Sequence, residues 1–517
     1  MENRSQYDLI IIGAGVNGLS AGLAYALNID MSQKRVLIIE KGHVCGGYVT
    51  SYARKGYNFD TCQMISNVSE ILDYFGVELQ WKGFKDDFVR IFKAESGHRE
   101  PVLFELCAGH QAFRQRMLST FPADTAKLEK LFDYSDAMFA ELFGLKYAPS
   151  PAEIVRMLIT CPKVIKNASK TFDEYLGQFG IDNPDIKLVF QTFSGLCGLP
   201  NDKIAALLTV GVLDSLLEKA YRPDDQFIEL PRKMEQRFVE LGGEILYKTE
   251  AEKILMSNGK AYGVRLKNGV GIYTNHVIST IDVKATFGSL ISIDELRAIN
   301  RRYANRIENM EMTTSAFTVN LGLDSENIPC LEKLQCGYSL LTSGHDAFSR
   351  LYEAYRKNEF ALSENCFYLG FSYQTGQGRG KPALSIQAVP APILNWKELR
   401  ASDRKQYIAE KENKADLIIK IVEKHLIPSL SKHVVVKDIS TPATYSRYSG
   451  SSNGSIYDMA SVPKNFGRNR LPVLTPVKGL MMPKFAHGVF GAMNSGLQAV
   501  DILLGGAVMN GNSRFGK

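Results

Sequence analysis

Between Tyr7 and Glu40 the chain reads Tyr-Asp-Leu-Ile-Ile-Ile-Gly-Ala-Gly-Val-Asn-Gly, then an Ala- and Leu-rich run, then Arg-Val-Leu-Ile-Ile-Glu. The β-branched run Leu9 to Ile12 suits a strand buried on both faces, and Gly13, Gly15 and Gly18 follow it at once. Strand, turn and helix therefore come in the order that a βαβ unit requires. Gly13 permits the tight turn, Gly15 lets a pyrophosphate approach the backbone, and Gly18 lets the helix pack against the strand. Val16 and Asn17 open that helix, whose free N–H groups suit phosphate. Val36 to Ile39 is the second strand, and Glu40 ends it roughly 20 residues past the last glycine. A carboxylate there accepts hydrogen bonds from both ribose hydroxyls of an adenosine and repels a 2′-phosphate, so this stretch predicts a dinucleotide site that does not take NADP. The connection Asn28 to Lys34 is longer than such a turn needs and predicts a surface insertion.

At 517 residues the chain is too long for one core and should divide into two or three lobes. Its net charge of +6 is small for that length, and no basic run carries interleaved aromatics, which argues against nucleic acid. Eight cysteines without a C-x-x-C pair argue for a reducing compartment and against a disulfide framework or a metal site. No charged leader with an apolar core precedes Tyr7, and no run of about 18 apolar residues follows, so the expected location is cytoplasmic.

After Glu40 comes Lys41-Gly-His-Val-Cys-Gly-Gly-Tyr-Val-Thr-Ser-Tyr, then Gly56-Tyr-Asn-Phe-Asp60. Adjacent glycines let the chain pass close under a large ligand. An acid closing the second strand, a double glycine, a serine or threonine and Gly-x-x-Phe-Asp together resemble the FAD enzymes of the phytoene desaturase, carotenoid isomerase and retinol saturase group. The resemblance implies FAD as cofactor and an α/β architecture: a two-part FAD-binding Rossmann-type fold with a mixed β-sheet substrate domain and a helical lobe. It implies that Lys41, Gly46, Gly47, Tyr48 and the segment through Asp60 line the pyrophosphate and flavin. The FAD-binding part would comprise 1–67, 231–310 and 471–517, the helical lobe 68–230 and the sheet domain 311–470. Two residues depart from the group: Tyr48 stands where many members have arginine, and Cys62 where they have glycine.

From Val68 to Leu230 the pattern is mostly helical, with apolar residues three and four apart in Ala112 to Phe121, Thr125 to Phe143 and Lys203 to Leu217. Pro151 to Lys170 joins large aliphatics to Arg156, Lys163, Lys166 and Lys170. Such a segment suits peripheral contact with a membrane surface, and equally an ordinary helix with a solvated basic face; Pro162 breaks it. A helix at Lys233 to Leu241 ends at Gly242-Gly243. Short strands follow at 244–247, 252–256, 261–266, 272–273 and 276–280, with Asn258-Gly259 and Asn268-Gly269 as turns. They look like the inserted small sheet of two-part FAD folds, in which Ala251 would touch adenine. Beyond Thr313, strands at 315–321, 338–341, 367–373 and 384–388 alternate as half-buried strands do, with a flexible loop at Gly376 to Gly380. Tyr407 to Leu426 reads as a charged surface helix.

Ser440 to Tyr457 resembles the stretch that the group places over the substrate cavity, and Gly479 to Gly496 leads into a closing helix. By resemblance, Gly488, Met493 and Asn494 meet the ribityl chain and pyrimidine ring, where a helix N-terminus favours negative charge. Lys484, which replaces a small residue or glycine, is expected to point to solvent. Gln63, Arg447, Tyr448 and His487 are the polar candidates near the ring, again by resemblance. Because flavin supplies hydride transfer, the lack of a Ser/His/Asp set or carboxylate pair does not count against catalysis. The expected function is oxidation or reduction of carbon–carbon bonds in a long apolar polyene or isoprenoid. A cis-trans isomerase of such a substrate, an amine oxidase relative and a non-catalytic FAD- and lipid-binding protein stay open.

Overall fold

The protein was analysed as a computed structural model that describes residues 6–95, 100–143, 151–374, 380–392, 394–484 and 488–508; at 143, 151–155, 394–395 and 468 only the backbone is described. The run Leu9–Ile12 is the centre of a five-stranded parallel sheet, with Val36–Ile39 and Glu244–Leu246 on one side and Val277–Ser279 and Leu480–Met481 on the other. Both faces are covered, as continuous β-branched strands require. Leu9, Ile11, Val36 and Ile38 pack with the helices Val16–Asn28, Glu229–Glu240 and Gly488–Leu503. Ile10, Ile12, Leu37 and Ile39 pack with Ile254, Val264 and Phe287 on the opposite side. The last helix lies so close to the first that a Cβ on Gly496 would stand 2.4 Å from the Asn17 carbonyl oxygen.

The strand positions after Gly243 match the sequence pattern, but their grouping differs from it. Only Ala251–Ser257, Lys260–Leu266 and Gly271–Tyr273 form the inserted antiparallel sheet; Glu244–Leu246 and Val277–Ser279 join the parallel one. Strand spacing carries no information about partners far away in the chain.

The second large sheet has seven strands in the order 434–440, 315–323, 383–391, 368–374, 338–342, 89–93 and 102–106. It is mixed, because Tyr338–Thr342 runs parallel to Val89–Lys93. Two of these strands come from the stretch read as mostly helical, which also supplies Trp81–Gly83 and Ala220–Pro223 to a small three-stranded sheet. The sheet is not half-exposed: every residue of Ser315–Leu323 and Tyr368–Gln374 is buried. Its apolar face, with Phe317, Val319 and Ile386, packs on Trp396, Ile418 and Val422 beneath the helix Arg404–His425. The opposite face carries Thr318, Asn320, Ser372 and Ser385, and it is covered by the rest of the molecule. The helical lobe includes His110–Thr120, Thr125–Phe143, Pro184–Gly195 and Ala206–Glu218 and shares one core with this sheet. The loop at 376–379 lies outside the described residues.

Candidate cofactor and substrate site

The turn after Leu9–Ile12 is built from backbone approach. Gly13 has φ +103°, and a Cβ on Gly18 would fall 1.9 Å from the Gly13 carbonyl oxygen, so only glycine lets the helix start there. Gly15 faces open space: the nearest atom to a Cβ at this position is the Gly46 carbonyl oxygen at 4.0 Å. Gly46, at φ +106°, donates its N–H to the Ala14 carbonyl (2.8 Å), which brings the double glycine beside the first turn. The two glycine motifs thus form one cradle with a bare backbone surface.

Glu40 closes the cradle. Its Oε2 accepts from Ala14 N–H (2.8 Å) and its Oε1 from Gly42 N–H (2.6 Å). A carboxylate has about four acceptor positions, so both oxygens keep capacity for ribose hydroxyls. Asn17 donates from Nδ2 to the Pro483 carbonyl (2.8 Å) and to Ser495 Oγ (3.2 Å), while its Oδ1 is buried without a partner. Such an orphaned acceptor is costly unless a ligand satisfies it. Bare glycine backbone, spare carboxylate capacity and an orphaned amide oxygen all fit a dinucleotide.

Beside the cradle stands a cluster of half-buried side chains: Tyr48, next to Gly47, with Cys62, Tyr445 and Tyr457. Tyr48 stacks on Tyr445 (centroids 6.4 Å apart) and donates to Ser449 Oγ (2.9 Å) or the Ser455 carbonyl (2.7 Å). Tyr445 and Thr318 share a hydroxyl hydrogen bond of 2.6 Å, and Tyr52 accepts from Asn320 at 2.8 Å. The polar face of the seven-stranded sheet is thereby tied to the cradle side. Burial pushes the Cys62 thiol up to about 12, so it is neutral and not a nucleophile.

The other expected residues divide. Gln63 lies at this interface and donates from Nε2 to Gln387 Oε1 (3.1 Å). Gly488 begins the closing helix with open space above it, Met493 is buried with its carbonyl accepting from Ser20 Oγ (2.7 Å), and Asn494 is half-buried. Val16 is buried, and Ala251 is half-buried at the start of the inserted sheet. Lys41 is half-buried and donates to the Arg447 carbonyl (3.2 Å); desolvation lowers its pKa. Arg447 itself is exposed, its guanidinium over the equally exposed Tyr448 ring at 5.6 Å. His487 lies outside the described residues.

Two polar clusters escaped the sequence reading. Asp60 is buried against Arg222 (3.2 Å) and accepts from Phe227 N–H, so its carboxylate is a structural tie. Lys484 does not point to solvent: its ammonium lies 2.6 Å from Asp458 and donates to the Thr280 carbonyl. Asp282 accepts from Ser452 N–H and Ala285 N–H, and burial, reinforced by Asp458, lifts its carboxyl to about 6. Asp60 and Arg222 lie 162 residues apart in sequence and Lys484 and Thr280 lie 204 apart, where no local pattern signals them.

Among the described residues no helix is long and apolar enough to cross a membrane, and no cluster of His, Cys, Asp and Glu could hold a metal ion. Residues 11–74 match the model of an NAD(P)-binding Rossmann-like domain. The chain is 23% identical over 483 residues to prolycopene isomerase of Daucus carota, covering 87% of this chain and 71% of that protein. It is 21% identical to all-trans-retinol 13,14-reductase of Danio rerio, covering 98% and 89% respectively. A solved oxidoreductase from Methanosarcina mazei shares the fold, with a TM-score of 0.62 at 14% identity over 95% of this chain and 99% of that one. The resemblance carried by the motifs from Gly13 to Asp60 is borne out: over most of its length the chain is a distant relative of the carotenoid isomerase and retinol saturase group, on a Rossmann-type α/β fold.

Proposed function

We propose that the protein is an FAD-dependent oxidoreductase that desaturates or saturates carbon–carbon bonds of a long apolar polyene or isoprenoid. The observation that carries this reading is the cradle itself, in which the first turn, Glu40 and the double glycine meet on one bare backbone surface with Tyr48 next to Gly47. Bound FAD supplies hydride transfer. Gly13, Gly15, Gly18, Asn17, Glu40, Gly46 and Gly47 would hold it. The chain's own part is to position an apolar molecule between Tyr48, Tyr445 and the sheet and to keep water out. The names of the relatives support an extended polyene or retinoid. The test is the absorbance spectrum of the purified protein with release and identification of the bound nucleotide. Released FAD supports the reading; a protein that neither retains nor takes up FAD contradicts it.

A second reading, cis-trans isomerisation without net redox, is favoured by the likeness to prolycopene isomerase. A product with changed geometry and unchanged mass identifies it. Peripheral membrane contact is supported by Leu158 and Ile159, which are 60% and 79% exposed on the helix that precedes Lys163 and Lys166. Co-sedimentation with anionic liposomes at low salt tests this, and its absence discards it. A protein that binds FAD and polyene but changes neither mass nor geometry would be a binder and not an enzyme.

A further inference from the structure

Apart from the cradle, the helix Arg301–Glu308 and the stretch 463–472 flank an open cavity of about 440 Å³. This falls within the roughly 300–1,000 Å³ of small-molecule pockets. Its wall carries Arg302, Arg306 and Lys464 together with the amides Asn300 and Asn469, and no carboxylate lines it among the described residues. Arg302 and Arg306 stand four residues apart on one helix, where like charges repel. Lys464 has a counterion in Glu311 (2.9 Å), and Arg306 donates to a neutral group, the Asn469 carbonyl. The Arg306 guanidinium is held below its usual pKa by burial and by Arg302. Tyr303, which also lines the cavity, is 8% exposed and its hydroxyl is buried without a hydrogen-bond partner. Converging positive charge is what an anion would satisfy.

We infer that this cavity binds a small soluble phosphate-bearing anion, gripped by the Arg302 and Arg306 guanidiniums. Guanidinium forks match phosphate oxygens, and the volume accommodates more than one phosphate group. The site is separate from the glycine cradle, which uses backbone N–H groups.

The experiment is calorimetric titration of the full-length protein with inorganic phosphate, inorganic pyrophosphate and, separately, phosphatidylglycerol vesicles. Saturable binding of phosphate or pyrophosphate that weakens with salt is expected, and Arg302→Gln/Arg306→Gln should weaken it at least about tenfold. Thermal unfolding checks that the double variant remains folded; relief of the arginine repulsion should leave it at least as stable. Equal pyrophosphate affinity in the double variant would place the anion at the cradle and overturn the proposal. So would binding to vesicles alone, or no saturable binding of either soluble anion.

Discussion

Lys484 and Asp458 form a partly sequestered ion pair, ammonium to carboxylate 2.6 Å apart with side chains 12% and 20% exposed. The pair stands beside Asp282, on the segment that follows Leu480–Met481 and reaches the first helix through Asn17. Removing the cation leaves Asp458 and Asp282 facing each other without compensation. Lys484→Met should therefore destabilise the protein by about 3 kcal/mol in urea unfolding, and Lys484→Met/Asp458→Asn should recover most of the loss. If the single and double variants are equally unstable, the pair has no such role.

Asp282 gives stability a pH dependence whose sign is fixed. Its folded-state pKa is raised to about 6, mainly by burial, from the ordinary value of 3.8. The contribution is fully present below the unfolded value and is lost as pH rises through the folded one. Urea midpoints should fall between pH 4 and pH 6 through this group, and Asp282→Asn should flatten that part of the profile. An unchanged profile in the variant would assign the dependence to other carboxylates.

At Gly15 folding and cofactor binding separate. The position has extended φ of −68° and nothing nearer than 4.0 Å to an added Cβ, so Gly15→Val should cost less than about 1 kcal/mol of stability. The same side chain covers the bare backbone on which a pyrophosphate would lie. FAD uptake followed by fluorescence should drop at least about tenfold, while far-ultraviolet dichroism stays unchanged. Gly18→Val, by contrast, should not fold, since its Cβ meets the Gly13 carbonyl oxygen at 1.9 Å.

Arg222 ties Ala220–Pro223 to the hairpin that ends at Asp60. With Asp60 buried, Arg222→Met should cost about 3–5 kcal/mol, because a carboxylate is left without its cation. Asp60→Asn in the same background should restore part of it, as measured by chemical denaturation.

These residues also show what the sequence could reveal. The cradle was legible because Gly13, Gly15, Gly18 and Glu40 form a local pattern whose chemistry depends on spacing within one βαβ unit. Thr125–Phe143 was legible from helical periodicity alone. Val89–Lys93 alternates as a strand should, but it lies among helices, and its partner Tyr338–Thr342 lies far along the chain. The half-buried reading of the seven-stranded sheet failed because polar residues such as Thr318 and Asn320 are covered by Tyr445 and Tyr52, not by water. Arg222, Lys484 and Asp458 were missed for a similar reason: a buried charge declares itself only through a partner in space. Tyr48 and Cys62 were read as departures from a family pattern, and the fold brings them together beside the cradle, with Cys62 Sγ 3.5 Å from the Tyr48 carbonyl.

The most direct test of the account is mass and isomer analysis of a polyene incubated anaerobically with the FAD-loaded protein while the flavin spectrum is followed. The account predicts a change of two hydrogens in the polyene, matched by reduction or reoxidation of the flavin. A polyene unchanged in mass beside an unchanged flavin spectrum would contradict it.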